Sequence, residues 1–130
     1  MIRVAVLAAL LAGPAAAQEA PMSGAEFEAY VEGRTIRFAL ATGESFGIER
    51  YLPDRRVIWS PLDGTCLDGR WFDDGPLICF AYDGDPEAKC WRVYDTGAGL
   101  RAEWADPPGA TVLFEEAAPQ APLICGDLLS

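Results

Sequence analysis

Between residues 35 and 115 apolar and polar residues alternate in eight short runs: Thr35–Leu40, Phe46–Leu52, Val57–Ser60, Thr65–Phe72, Leu77–Tyr82, Lys89–Asp95, Leu100–Trp104 and Thr111–Glu115. Alternation with period two marks strands that bury one face. Turn signals separate the runs: Ala41-Thr42-Gly43, Pro53-Asp54, Asp63-Gly64, Asp73-Asp74-Gly75-Pro76, Asp83-Gly84-Asp85-Pro86, Thr96-Gly97-Ala98-Gly99 and Asp106-Pro107-Pro108-Gly109. Gly and Asp supply the positive φ that tight hairpins require. Eight strands joined in sequence order predict an all-β fold, a small antiparallel up-and-down meander. Such a meander closes into a barrel, or curls into a half-barrel, to protect its edges.

One helix precedes the strands, over residues 22–33. Ser23 and Glu26 have the spacing of a capping box, and Met22 and Phe27 stand where a hydrophobic staple belongs. Phe27, Tyr30 and Val31 share one face, and Gly33 is placed to end the helix. At about two turns it is too short to be stable alone and must dock on the sheet.

The middle strands predict a register. Centring the turns on Asp74-Gly75, Gly84-Asp85 and Gly97-Ala98 puts Trp71 opposite Ile78, Arg70 opposite Cys79, Cys79 opposite Cys90, and Trp91 opposite Trp104. One face then collects Trp71, Ile78, Phe80, Tyr82, Trp91, Val93, Leu100, Ala102 and Trp104, the expected core. The other carries Asp68, Arg70, Arg92, Arg101 and Glu103 with Cys66, Cys79 and Cys90. Of the three connectivities open to four Cys, this register favours Cys79–Cys90, which are cross-strand neighbours. Cys66 lies four residues from the position facing Cys79, roughly 13 Å along the strand and beyond bridging distance. It is left to Cys125, a bridge that would pin the tail, residues 116–130, across the outer face.

Residues 1–17 have the form of a signal peptide. Arg3 is the basic start, Val4 to Leu11 the apolar stretch and Ala15-Ala16-Ala17 the small-residue cleavage site. Gly13-Pro14 interrupts the apolar run after about ten residues, where a membrane span needs about twenty. Cleavage after Ala17 leaves residues 18–130 as a single domain and removes one of the 10 basic residues and none of the 20 acidic ones, for a net charge of −11. Two disulfides in a short exported chain fit the periplasm or the medium. The chain has no His, which excludes a Ser-His-Asp triad, a Cys-His pair and imidazole metal ligands. The acidic charge, with Lys89 the single lysine, excludes a protein that tracks nucleic-acid phosphates.

Several patterns invite chemistry. Gly43-Glu44-Ser45-Phe46-Gly47 matches the nucleophile elbow, but that motif requires a strand–turn–helix and an activating His, and here it falls between two strands. Asp73-Asp74 and Asp83-Gly84-Asp85-Pro86-Glu87 gather carboxylates, yet the twelve-residue calcium-loop pattern is absent and turn chemistry explains both. No metal or cofactor is expected. A carboxylate pair would suit glycoside hydrolysis, and Asp95 and Glu115, near the core face, are its first candidates. If the barrel holds a pocket, Trp71, Trp91, Trp104, Phe80 and Tyr82 are the residues expected to line it. The competing expectation is a packed core, because a barrel of eight strands has room for little beyond its own side chains. Arg70, Arg92 and Arg101 share the outer face with Asp68 and Glu103, so an ion-pair lattice is expected there rather than an anion site.

The stretch Met22–Val31, then Gly33-Arg34-Thr35, Tyr51-Leu52-Pro53, Cys66-x-x-Gly69-x-Trp71, Ile78-Cys79-Phe80-x-Tyr82 and Cys90-Trp91, resembles a family of short secreted alphaproteobacterial proteins with no assigned activity. The resemblance covers most of the chain after residue 17 and implies no functional residue. The meander is also broadly lipocalin-like, although Gly33-Arg34-Thr35 lacks the Trp that usually follows the first Gly, and Gly69-Arg70-Trp71 carries that pattern in mid-sheet.

The expected function is a non-catalytic, monomeric binding or interaction module of the periplasm, whose partner is a protein or a small molecule. Three narrower readings stay open. An acidic inhibitor of a basic cell-wall hydrolase would use the net charge to steer its partner. A small-ligand-binding barrel would need an open cavity above about 300 Å³. A carboxylate-pair hydrolase would need two acids in one cleft.

Overall fold

A computed structural model describes residues 2–8, 19–117, 122–123 and 125–126. The expected cleavage site at Ala17 and most of the tail 116–130 lie outside the described residues. Helix α1 (Gly24–Val31) leads into eight strands, β1 (Thr35–Ala39), β2 (Ser45–Tyr51), β3 (Arg56–Ser60), β4 (Leu67–Asp74), β5 (Leu77–Tyr82), β6 (Lys89–Asp95), β7 (Leu100–Trp104) and β8 (Val112–Glu115). Each strand pairs antiparallel with the next, and β8 returns to β1 through Phe38–Glu115 and Ala39–Phe114. The sheet is therefore a closed barrel rather than a half-barrel, and closure leaves no edge strand exposed.

Helix α1 caps as its sequence dictates and is shorter than 22–33. The Ser23 hydroxyl accepts the Glu26 amide at 3.1 Å, and the Glu26 carboxylate accepts the Ser23 amide at 3.0 Å. These two bonds hold the Glu26 carboxyl below its ordinary pKa. Phe27, Val31 and Met22 are buried in the same core as the strands, so α1 stoppers one end of the barrel. The Met22 amide donates to the Val93 carbonyl and the Gly33 amide to the Tyr51 carbonyl, tying both flanks of the helix to that end. Ser23→Ala should cost about 1 kcal/mol in urea-induced unfolding, with the loss in the midpoint and not the slope.

The expected core face is the inner face. Trp71, Ile78, Phe80, Val93, Leu100 and Ala102 are buried there, while Asp68 and Arg70 are exposed outside. Two of the three hairpin registers fall as expected, with Cys79 opposite Cys90 and Trp91 opposite Trp104. The β4–β5 hairpin is displaced by two residues: Phe80 faces Trp71, Ile78 faces Asp73, and Phe72, not Arg70, faces Cys79. Its turn is Gly75-Pro76. Gly75 lies at φ 57°, the positive value a two-residue hairpin wants at its first central position. Pro76 has no amide to give to the ladder, so the strand begins after it. A shift of two preserves which face each side chain occupies, which is why the predicted core survives the error.

Disulfides Cys66–Cys125 and Cys79–Cys90 are both formed. With Phe72 opposite Cys79, Cys66 is six residues from that position, roughly 20 Å along the strand, so the corrected register separates Cys66 and Cys79 still further. Two bridges fit an oxidising, extracytoplasmic compartment. No helix among the described residues is long and apolar enough to cross a membrane.

Candidate functional site: a half-open aromatic barrel with one buried acid

Strand direction sorts the inner residues by depth. Tyr51, Ile78, Leu100 and Phe27 lie toward the stoppered end, and Trp59, Leu67, Trp91, Trp104 and Thr111 toward the other. Between the two levels is a cavity of about 390 Å³. Phe27, Tyr51 and Leu100 form its floor, Phe80, Tyr82, Val93, Ala102 and Leu113 its walls, and the indoles of Trp59, Trp91 and Trp104 its upper ring. Trp91 and Trp104 meet edge to face, with centroids 4.9 Å apart, and Phe80 stacks on Tyr82 at 6.3 Å. Asp85 and Lys89 stand at the rim and pair with each other at 3.2 Å.

The barrel is not filled by its own side chains because two inward positions carry no side chain. A Cβ at Gly47 would overlap the Trp59 ring and come within 2.8 Å of the Ser60 carbonyl oxygen. A Cβ at Gly69 would stand 2.8 Å from the Tyr82 ring, directly across the β4–β5 ladder. Both rings therefore lie flat against the wall instead of projecting across the lumen. Gly47→Ala should force the Trp59 indole off the wall, costing about 1–3 kcal/mol by overpacking. Urea unfolding of the variant checks that range.

The feature without precedent in the strand pattern is Glu49. It sits on β2 between Ile36 and Trp59 on the neighbouring strands, is 2% exposed, and lines the cavity. Its Oε1 accepts a hydrogen bond from the Tyr82 hydroxyl at 2.8 Å. Its Oε2 is buried and has no hydrogen-bond partner among the described residues. Burial disfavours the charged carboxylate and outweighs the help from Tyr82, so the pKa is pushed up to about 8. Burial likewise raises the phenols of Tyr51 and Tyr82 above their ordinary range, with the Glu49 charge adding to the effect. The interior of the cavity thus holds one buried acid, Glu49, among neutral rings, while Asp85 stays paired with Lys89 at the rim.

No protein-family model, no curated protein and no solved structure matches this chain.

The sequence-predicted residues divide cleanly. Trp91, Trp104, Phe80 and Tyr82 meet on the cavity. Trp71 does not: it is 3% exposed beneath the floor, edge-on to Phe27 at 5.0 Å and covered by the Arg55 guanidinium at 4.2 Å. It lies beside Phe80 rather than Ile78, two residues nearer the open end than expected, and still does not line the cavity. Asp95 and Glu115, the first candidates for a carboxylate pair, both lie at the stoppered end, away from the cavity. Asp95 accepts the Gly97 amide in an exposed turn. Glu115 is saturated, accepting from the Tyr30 hydroxyl at 2.6 Å, the Arg34 guanidinium at 2.7 Å and the Leu100 amide at 2.9 Å. It fastens helix to barrel and is not poised for chemistry.

The acidic turns are structural as well. Asp85 accepts the Glu87 amide and pairs with Lys89, which together hold its carboxyl below the usual range. Asp73 is held low chiefly by Arg55. Among the described residues no group of three or more metal-ligating side chains is placed to hold a metal ion. On the outer face Arg101 pairs with Glu19 and Glu103 and covers the Tyr94 ring, but among the described residues Arg70, Arg92 and Asp68 join no ion pair, so of the expected lattice only the Arg101–Glu103 pair is formed.

Proposed function

We propose that this chain is an exported, non-catalytic binding protein of the periplasm that encloses one small, mainly apolar ligand in the open half of its barrel. The observation that carries the reading is the 390 Å³ cavity with a wall of aromatic side chains and, among the described residues, one buried polar side-chain atom without a partner, Glu49 Oε2. Ligand sites have this character: a preformed concave surface of a few hundred Å³, largely apolar, with one or two polar groups that set orientation. The stoppered end, the two bridges and the closed sheet keep that surface preformed, which lowers the ordering cost of binding.

Titration with toluene, followed by proton–nitrogen NMR, tests the reading. The indole signals of Trp91, Trp104 and Trp59 are expected to shift saturably while that of Trp71 stays in place. Shifts that grow linearly without saturating, or that concentrate on outer-face residues, would reject it.

A further inference from the structure

We propose that the ligand is an organic cation, an ammonium group on an aromatic or aliphatic body, held with its charge between Glu49 and the surrounding rings. The proposal rests on the pocket reading and specifies its chemistry.

Three independent observations converge. The first is the orphaned oxygen. An acid that is 2% exposed and lacks a partner for Oε2 destabilises the empty barrel, and an entering cation is the partner that would repay both its charge and its lone pairs. The second is the wall. Trp59, Trp91, Trp104 and Tyr82 line the same cavity as that carboxyl, and π faces attract cations, most strongly when water is excluded. The third is charge balance. The cavity lining carries two carboxylates, Glu49 and Asp85, against one ammonium, Lys89, which Asp85 already engages. The whole chain has 20 acidic against 10 basic residues, a field that draws cations inward and repels anions. An anionic ligand would meet Glu49 with no free counter-charge on the lining.

The groups around Glu49 do not compete for the role. The phenols of Tyr51 and Tyr82 are held neutral by burial. Arg34, at the stoppered end, is bound to Glu115. The cation would find a carboxyl whose only hydrogen bond among the described residues comes from Tyr82.

Benzyltrimethylammonium and its uncharged carbon isostere neopentylbenzene match in shape, and neither titrates. Each is titrated into the full chain by tryptophan fluorescence at pH 6, 7.5 and 9. The cation should bind at least tenfold more tightly than the isostere at pH 9. Its affinity should fall roughly fifty- to a hundredfold at pH 6, as the empty site's carboxyl takes up its proton. The isostere should show no such dependence. Glu49→Gln should lose at least tenfold in affinity for the cation at pH 9, with its fold certified by a cooperative urea unfolding transition; Glu49→Leu should lose the cation likewise. Equal binding of cation and isostere, or a Glu49→Gln protein that holds the cation as well as the parent, overturns the cation assignment and leaves the pocket reading standing. Absence of saturable binding by both compounds at millimolar concentration overturns both.

Discussion

Glu49→Gln should make the protein more stable at pH 8, by about 4 kcal/mol, and leave it within about 1 kcal/mol of the parent at pH 5. The sign follows from where the proton resides. In the unfolded chain a glutamate releases its proton near pH 4.5, while in the folded barrel the Glu49 carboxyl keeps it to about pH 8. Across that window the folded state binds one proton more than the unfolded state. Stability from this group is therefore greatest below pH 4.5, declines by about 1.4 kcal/mol per pH unit, and is lost by pH 8. Glutamine has nearly the same shape, accepts the Tyr82 hydroxyl equally well and does not titrate. Urea unfolding of both proteins from pH 5 to 9 gives the difference directly and cancels the pH response of the other nineteen acids. Parallel stability curves would mean that Glu49 titrates as an ordinary surface acid and that its burial carries no electrostatic cost.

An acid that weakens its own fold at neutral pH is a local inconsistency, and such inconsistencies cluster at sites kept for function rather than for stability. The contrast with Glu115 makes the point within one molecule. Both acids project from strands toward the barrel's interior layers. Among the described residues Glu115 has three donors at 2.6 to 2.9 Å, whereas Glu49 has one donor and an oxygen without a partner. The first carboxylate holds structure together, and the second keeps one oxygen without a partner among the described residues.

How far the sequence revealed this arrangement depends on the strand. Along β4 to β7 the Trp and Cys positions mark one face unambiguously, so inner and outer residues were legible even where a turn was misplaced by two. Strand β2 was opaque. Its inner positions are Gly47, Glu49 and Tyr51, and its outer ones Phe46, Ile48 and Arg50. Ile48 is nonetheless buried at 3% exposure, and Phe46 packs near Trp59 with ring centroids 6.0 Å apart. With apolar residues on both faces, alternation could not tell which side Glu49 occupies. The signal that was present is Gly47, since an inward glycine two residues from an acid marks a place where a neighbouring ring needs the wall. The open lumen was hidden for the same reason. Summed side-chain size suggests a filled barrel, and only the flat lie of Trp59 and Tyr82 against two glycines leaves it partly empty. Closure of β8 onto β1 was legible only as a need for edge protection, since no local pattern specifies which strand meets the first.

Phe27→Ala is expected to cost about 3–5 kcal/mol, the largest loss from any single truncation on the helix. Phe27 is 1% exposed and meets Trp71, Tyr51 and Phe80 edge to face at 5.0, 5.7 and 6.3 Å. Such pairs contribute beyond the area they bury. Truncation to Ala removes all three and leaves a gap in the cavity floor that the closed sheet cannot contract to fill. The consequence extends past the missing ring. A helix of two turns does not persist by propensity, so without Phe27 the docking of α1 depends on Met22, Val31, the Glu115 cluster and the Arg55–Glu28 pair at 3.0 Å. Amide exchange over Gly24–Val31 should accelerate by more than the global stability loss accounts for, because the helix then opens without the barrel. Phe27→Leu, which retains most of the volume, should lose less than half as much. If Phe27→Ala instead unfolds within 1 kcal/mol of the parent, the helix is an ornament on the barrel and not the stopper that gives the cavity its floor.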